Sequence, residues 1–513
     1  MCSHRVVRSP EETYLEDMMK RKVRILTALV LGFAACASAP VYSSAQQTPT
    51  THHHYVVVDM GSLGGPGSIV YEAATRSLNN QGTFTGAADT PSLDHNSPQN
   101  PCSGYPDNTI DPYIQHVFRW ESGEKTDLGT FPGGTSSCSQ WINDRGWIVG
   151  SATNGEVDLL AGFPEANAAL WRNGEILNLG TLGGSESYAW SLNNLGQVVG
   201  FASNTIPDQS TGNVFAWGAT QTHAFLWQSG RMQDLGTLGG PNSDAFVINE
   251  RGQITGMSIT SSGSVDPFLW ENGKMIDLGT LGGTFGYPNM INSRGQIVGF
   301  SDVAGDITGH AFLWENGVLK DLGTHGGLVG EARWINDAGD AAGYATFPGD
   351  YVVHATLWKG DKIIDLGATA DFPCSYANGV NSRGQVLGAL QHCPNSAPRE
   401  AFLWENGDLV NLNTLIPLGS EILLGSANNA NDRGEIVALG TLHNGDLRAV
   451  LLIPCDANHP NLANCDYRLV DATPTAQLLP AQITQSSAAS SAKLSPSEMT
   501  RNRHRRFGAL SPK

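Results

Sequence analysis

The chain has 513 residues, including 60 glycines and 12 tryptophans, and only 15% of its side chains are charged. That balance excludes an intrinsically disordered chain, which is highly charged and poor in aromatics. Residues 46–470 hold 18 basic against 42 acidic side chains, a net of −24, so the body repels phosphate backbones and a nucleic-acid partner is excluded.

Residues 1–45 read as an N-terminal extension and a signal peptide. Lys20-Arg21-Lys22-Val23-Arg24 is a positive region, Ile25 to Ala35 an apolar core, and Ala37-Ser38-Ala39 and Ser43-Ser44-Ala45 are small-residue cleavage patterns. Cleavage near Ala45 is preferred because Pro40 follows the first pattern directly; a lipid anchor on Cys36 is the alternative. The apolar core is too short for a transmembrane helix, so no membrane span is expected. The signal implies a secreted or envelope-associated protein, periplasmic or extracellular. His52-His53-His54 follows the cleavage site and is read as incidental, with no metal or cofactor assigned.

From residue 55 a single pattern recurs, clearest over residues 268–301. Phe268-Leu269-Trp270 and Met275-Ile276-Asp277-Leu278 flank a Glu-Asn-Gly turn, the short-range signature of a β-hairpin whose central residues take positive φ. A glycine-rich loop, Gly279-Thr280-Leu281-Gly282-Gly283, follows. Met290-Ile291 and Gln296-Ile297-Val298-Gly299 then form a second hairpin across Asn292-Ser293-Arg294-Gly295. The turn asparagine recurs at Asn79, Asn143, Asn193, Asn249, Asn292, Asn336, Asn381 and Asn431, at intervals of 43 to 64 residues. Four short antiparallel strands in each interval is a propeller period.

The first unit, opening at Tyr55-Val56-Val57-Val58-Asp59, has no preceding Trp-type strand. The last ends on Arg448 to Ile453 and has no following Asp-Leu-Gly strand. The predicted fold is therefore an all-β propeller of four-stranded antiparallel blades over residues 46–470, eight in number, with the N- and C-terminal strands pairing to close the ring and remove open edges. The Ile-Asn strand is expected to be innermost.

His223-Ala224-Phe225-Leu226-Trp227, Asp234-Leu235-Gly236-Thr237-Leu238-Gly239-Gly240 and Ile291-Asn292-Ser293-Arg294-Gly295-Gln296-Ile297-Val298-Gly299 resemble the HAF family of bacterial extracellular repeats. The resemblance covers roughly residues 55–453. It implies an exported, β-rich repeat protein and no defined activity, so it carries over no catalytic residue. The fourth unit departs from the pattern, with Pro267 read as replacing the repeat histidine.

Six cysteines lie beyond the signal. Cys138 and Cys374 fall in the loop before an Ile-Asn strand, and Cys102 and Cys393 in the connector before a Trp-type strand. Those loop classes emerge on one face of a four-stranded unit, so the predicted disulfides are Cys102–Cys138, Cys374–Cys393 and Cys455–Cys465. No C-x-x-C spacing supports zinc. Residues 471–513, with Ser/Ala-rich sequence and the basic run Arg501 to Arg506, read as a disordered tail.

Eight copies of one turn describe scaffold, so function is sought in what is not repeated. The long connectors, Ala87 to Gln115, Ser151 to Asn167 and Phe201 to Thr222, emerge on the face of the glycine-rich loops. Unmatched aromatics assigned to that face, Trp141, Tyr188, Trp190, Phe215, Trp217 and Trp334, are the candidate binding residues, suited to sugar rings or protein surfaces. No G-x-S-x-G, H-E-x-x-H or P-loop motif is present and no catalytic residue is assigned. The expected function is that of a monomeric binding or interaction scaffold for polysaccharide or envelope proteins. The alternatives are a polysaccharide-active hydrolase or lyase and a structural surface protein without a discrete ligand.

Overall fold

The computed structural model describes residues 51–71, 75–95, 112–158, 164–208, 220–393, 396–465, 467 and 470–472. The signal region, the basic tail, Cys102, Phe215 and Trp217 lie outside the described residues. Among those described, the chain is all-β, with one 3-10 turn at Leu412–Thr414. Six sheets have four antiparallel strands each. A seventh, eight-stranded sheet consists of two such meanders joined by a single parallel pair, Val265 with Phe285. A separate two-stranded pair joins Thr51–His53 to Val470–Ala472.

One unit shows why the sequence folds this way. Its strands are Ser137–Ile142, Ile148–Val157, Pro164–Arg172 and Glu175–Asn178, in that order across the sheet. Asn143 closes the first hairpin: its Oδ1 accepts from the backbone N–H groups of Arg145 and Trp147, each at 3.0 Å, and Gly146 takes φ 72°. Asn173 and Gly174, at φ 53° and 80°, make the predicted tight turn of the second hairpin. The glycine of the repeated Ile-Val-Gly run has a packing reason. Gly150 lies opposite a register shift between Ser139 and Trp141, and a Cβ there would meet the Cys138 carbonyl at 1.9 Å.

Buried phenylalanines of the third strands, Phe118, Phe225, Phe268, Phe312 and Phe402, fill the space between sheets, each with relative exposure of 0%. Neighbouring sheets meet through the strands that end on the turn asparagine, as the sequence suggests. The asparagine itself makes the link. Its Nδ2 donates to the backbone carbonyl of the next unit's asparagine, from Asn79 to Asn143, Asn193, Asn249, Asn292, Asn336, Asn381 and Asn431 in turn. Asn431 then donates to the Asn79 carbonyl. The eight bonds span 3.0–3.4 Å. The amide serves its own turn with oxygen and its neighbour with nitrogen, which an ionised aspartate could not do, having no donor.

The two chain ends share a sheet. Tyr55–Asp59 pairs antiparallel with Leu447–Pro454, from Tyr55 opposite Pro454 to Asp59 opposite Val450. Two of the predicted disulfides are present, Cys374–Cys393 and Cys455–Cys465, with sequence separations of 19 and 10. Each ties a local loop, a constraint worth about 2–4 kcal/mol. Cys374–Cys393 joins the start of an inner strand to the connector after the second strand, as the shared-face argument requires.

Candidate functional site

Polar residues recur at a second position, on the outer rim of the glycine-rich-loop face. The side chain four residues before each Trp meets the residue that opens Asp-Leu-Gly on the outermost strand. His116 lies 3.1 Å from Asp127, His223 2.9 Å from Asp234, His310 2.9 Å from Asp321 and His354 2.8 Å from Asp365. Asn178 donates to Asn167 at 3.1 Å, Asn411 donates to Glu400, and Arg448 lies 3.5 Å from Asp59. In the fourth unit, strand register places Asp266, not Pro267, at the histidine position: Ser258 faces Asp266 as Ser301 faces His310. Counting back from Trp270 would have found this; the reading from Pro267 was off by one residue.

Each of these histidines makes a strand-end hydrogen bond to a carboxylate of the outermost strand. In each His–Asp pair burial raises the carboxyl, but the imidazole hydrogen bond and the backbone N–H two residues on outweigh it and hold Asp127, Asp234, Asp321 and Asp365 below the usual carboxylate range. A lowered folded value means that stability is fully present above the ordinary carboxylate value and is lost as pH falls through the folded one. Unfolding midpoints measured in urea should therefore drop below about pH 4. The double variant H223N/D234N, which copies the native Asn167–Asn178 pair, should show a shallower acid limb than the wild type.

Four of the predicted binding aromatics are described, and they sit in strands, not in loops. Trp141, Tyr188, Trp190 and Trp334 lie within the inner strands Ser137–Ile142, Ser187–Leu192 and Gly330–Ile335. Trp141, Tyr188 and Trp190 are buried and Trp334 is partly buried. The inner strand begins directly after the glycine-rich loop, so residues taken as loop are strand interior. Trp141 and Trp334, two before their asparagines, lie toward the opposite end. Their rings stack at 6.1 Å and 12° although four units separate them in the chain. Tyr188 packs against Trp190 at 4.5 Å, and Trp190 Nε1 donates to Asp244 at 2.9 Å.

Further round the inner strands the lining is polar and bonded across units. Asn289 donates to Glu331 at 3.0 Å, and Tyr287 donates to the same carboxylate at 3.2 Å. Arg333, 5% exposed, donates to Asn378 at 2.9 Å and lies 4.9 Å from the Tyr344 ring centre. Asn378 donates in turn to Ser426 at 3.1 Å. Sequence reasoning missed this network because its members occupy equivalent positions in different units and meet only when the units are placed side by side.

A pocket of about 510 Å³ lies beside the sheet that the two chain ends share. It sets Arg383 and His53 against Glu405 and Asp456, over the buried Tyr55. Burial, with the Glu405 charge behind it, drives the Tyr55 hydroxyl far above its ordinary value. Glu405 is held low instead: burial raises it, but hydrogen bonds from His52, at 2.7 Å, and Gln385 prevail. Mixed charge beside the shared sheet suits a structural joint between the two chain ends. Among the described residues no group of three His, Cys, Asp or Glu side chains is arranged to hold a metal ion.

The glycine-rich-loop face is uneven. The second strands of the first three units, Phe84–Leu93, Ile148–Val157 and Val198–Pro207, have 10 residues each; the later ones have 6 or 7. Near the end of each a register shift sets four residues against two of the third strand, so the paired sheet is longer by two residues, about 7 Å. The far ends of these strands, before connectors that lie largely outside the described residues, carry exposed aliphatic side chains, Leu93, Val157 and Ile206, at 57%, 51% and 52%. Ile307, Leu328 and Tyr351 are exposed on the same face, against Leu195 and Val318 at the asparagine end.

No protein-family model matches the chain, and no curated protein matches it. Similar solved structures include the β-propeller domain of the trilobed protease of Pyrococcus furiosus, 9% identical over 62% of this chain and 95% of that one, with a TM-score of 0.39. A puromycin-hydrolysing peptidase of Mycobacterium tuberculosis is 10% identical over 77% and 62%, with a TM-score of 0.38. TolB from Acinetobacter baumannii is 11% identical over 60% and 79%, with a TM-score of 0.29. The chain is thus all-β with propeller-like neighbours, and their activities do not transfer at this distance.

Proposed function

We propose that the chain is an exported, closed eight-bladed propeller of the HAF type, and that it binds a protein partner on the raised sector formed by its first three units. Eight four-strand meanders, the shared sheet of the two chain ends and the cyclic asparagine relay support the closed ring. Two disulfides fit an oxidising compartment, and no helix among the described residues is long and apolar enough to cross a membrane.

The observation that carries the binding reading is the set of exposed aliphatic side chains Leu93, Val157 and Ile206 at equivalent ends of the three longest second strands. An exposed apolar row on the raised part of one face marks an interaction surface. Exposed aliphatic side chains favour a protein over a sugar, because sugar platforms are flat aromatic rings and the described candidates for that role are buried or, at Trp334, partly buried. The acidic body steers basic partners, so binding should weaken with salt.

The test is capture of partners from envelope extracts by residues 46–470 and by the triple variant L93S/V157S/I206S. A panel of polysaccharides is run alongside, with product release monitored. Three aliphatic contacts of about 1.5–3 kcal/mol each predict at least a 100-fold loss of partner affinity in the variant, with an unchanged melting temperature. Equal binding by both proteins would remove the raised sector from the reading. Polymer cleavage would replace binding with hydrolysis or elimination.

A further inference from the structure

The rim pairs described above form a set of eight, and seven of them bring a hydrogen-bond donor to an acceptor. The eighth brings Asp266 to Asp277, two carboxyl groups with no donor between them unless one is protonated. Asp266 is nine-tenths buried and its Oδ1 has no hydrogen-bond partner. The strands beside it, Ile254–Thr260 and Gly282–Ile291, carry no cationic side chain, and Lys274 sits at the other end of the outer strand, opposite Glu271. From the turn, Ser264 supplies a hydroxyl; from the outer strand, Asp277 supplies the facing charge.

We propose that Asp266 is protonated and donates a hydrogen bond to Asp277, and that this proton fastens the outer strand Lys274–Asp277 of the fourth unit, making that unit a pH-sensitive lock. In the other units an imidazole, amide or guanidinium spans the gap between the third and outer strands. Here the gap is spanned by the proton itself. Losing it leaves two carboxylates facing each other and frees the outer strand, uncovering the edge of Val265–Glu271, which is then open to strand pairing.

Burial, followed by the Asp277 charge, pushes the Asp266 carboxyl up to about 6. With the folded value above the unfolded one, the folded state binds the extra proton between about pH 4 and 6. Stability therefore falls as pH rises through that window and stays lower above it.

The experiment measures thermal unfolding of the full chain at pH 5 and pH 7.5 for the wild type, D266N and D266H. Hydrogen exchange at Lys274–Asp277 is followed as the local readout, corrected for the intrinsic rate. The wild type should lose about 1–2 °C more than D266N on going to pH 7.5, with faster exchange confined to that strand. D266H, which restores the repeat's own pair, should exceed the wild type at pH 7.5. Parallel pH profiles for wild type and D266N would overturn the proposal. So would suppression of the wild-type loss by millimolar calcium at pH 7.5, because a cation and not a proton would then fill the gap. If D266N does not fold, D277N breaks the same like-charge contact and must give the same flattened profile.

Discussion

A chain beginning at Met60 is expected to lose cooperative unfolding and to aggregate, whereas one beginning at Thr51 folds. The nine residues between them complete the sheet that both chain ends build. Tyr55–Asp59 pairs with Leu447–Pro454 over five residues, and without it that strand becomes an open edge. The exposed edge would present Ala449 to Leu452, all at 0% exposure in the intact fold, and a long apolar edge is a template for aggregation. Three further losses accompany it. Tyr55 N–H no longer donates to Leu415 O at 2.8 Å, Arg448 loses Asp59, and Glu405 loses the imidazole of His52. Circular dichroism melts and light scattering of the two truncations decide the point. A cooperative melt within a few degrees of the longer chain would show that closure by the N-terminal strand contributes little to stability.

The second large effect is expected at the asparagine relay. Asn292 is buried, and its Oδ1 accepts from the N–H groups of Arg294 and Gln296, each at 3.0 Å. Its Nδ2 donates to Gln296 Oε1 at 2.7 Å and to the Asn336 carbonyl at 3.0 Å. Asn292→Ala removes all four bonds and leaves buried backbone groups unsatisfied, a cost of about 3–5 kcal/mol. Asn292→Asp separates the two roles. It keeps the acceptor that closes the turn but points a carboxylate oxygen at two other oxygens, so at neutral pH it should be at least as damaging as alanine. Below about pH 4 the protonated acid can donate again, and the gap to wild type should narrow. Urea unfolding at pH 7 and pH 3.5 measures both. A loss under about 1 kcal/mol in Asn292→Ala would mean that the inter-unit bonds are incidental to holding the units together.

The strand order within each unit was legible because hairpin turns are local. Asn-Gly pairs and the Asn-x-x-Gly turn set the backbone of four residues by their own φ preferences, and those preferences do not wait for a partner. The pairing of Cys374 with Cys393 was legible for a related reason, since strand parity decides which loops share a face. The same parity argument misplaced Trp141, Tyr188, Trp190 and Trp334. It says at which end of a strand a loop emerges, but not where the strand starts. The off-by-one reading at Pro267 hid the Asp266–Asp277 pair, although its spacing to Trp270 matches the spacing of His310 to Trp314.

By itself the sequence determined the repeat, its four-strand meander and the turn chemistry, which rest on neighbours close along the chain, and the complementary ends, which follow from the register of the repeat. Only the tertiary structure decided which side chains meet across units. The stacking of Trp141 on Trp334, the donation of Asn289 to Glu331 and the passage of each asparagine amide to the next unit join residues tens to hundreds of positions apart. A repeat makes those positions look alike in the sequence. What sets them apart is which other unit each one faces, and that depends on how the sheets are arranged about one another, not on any local preference of the chain.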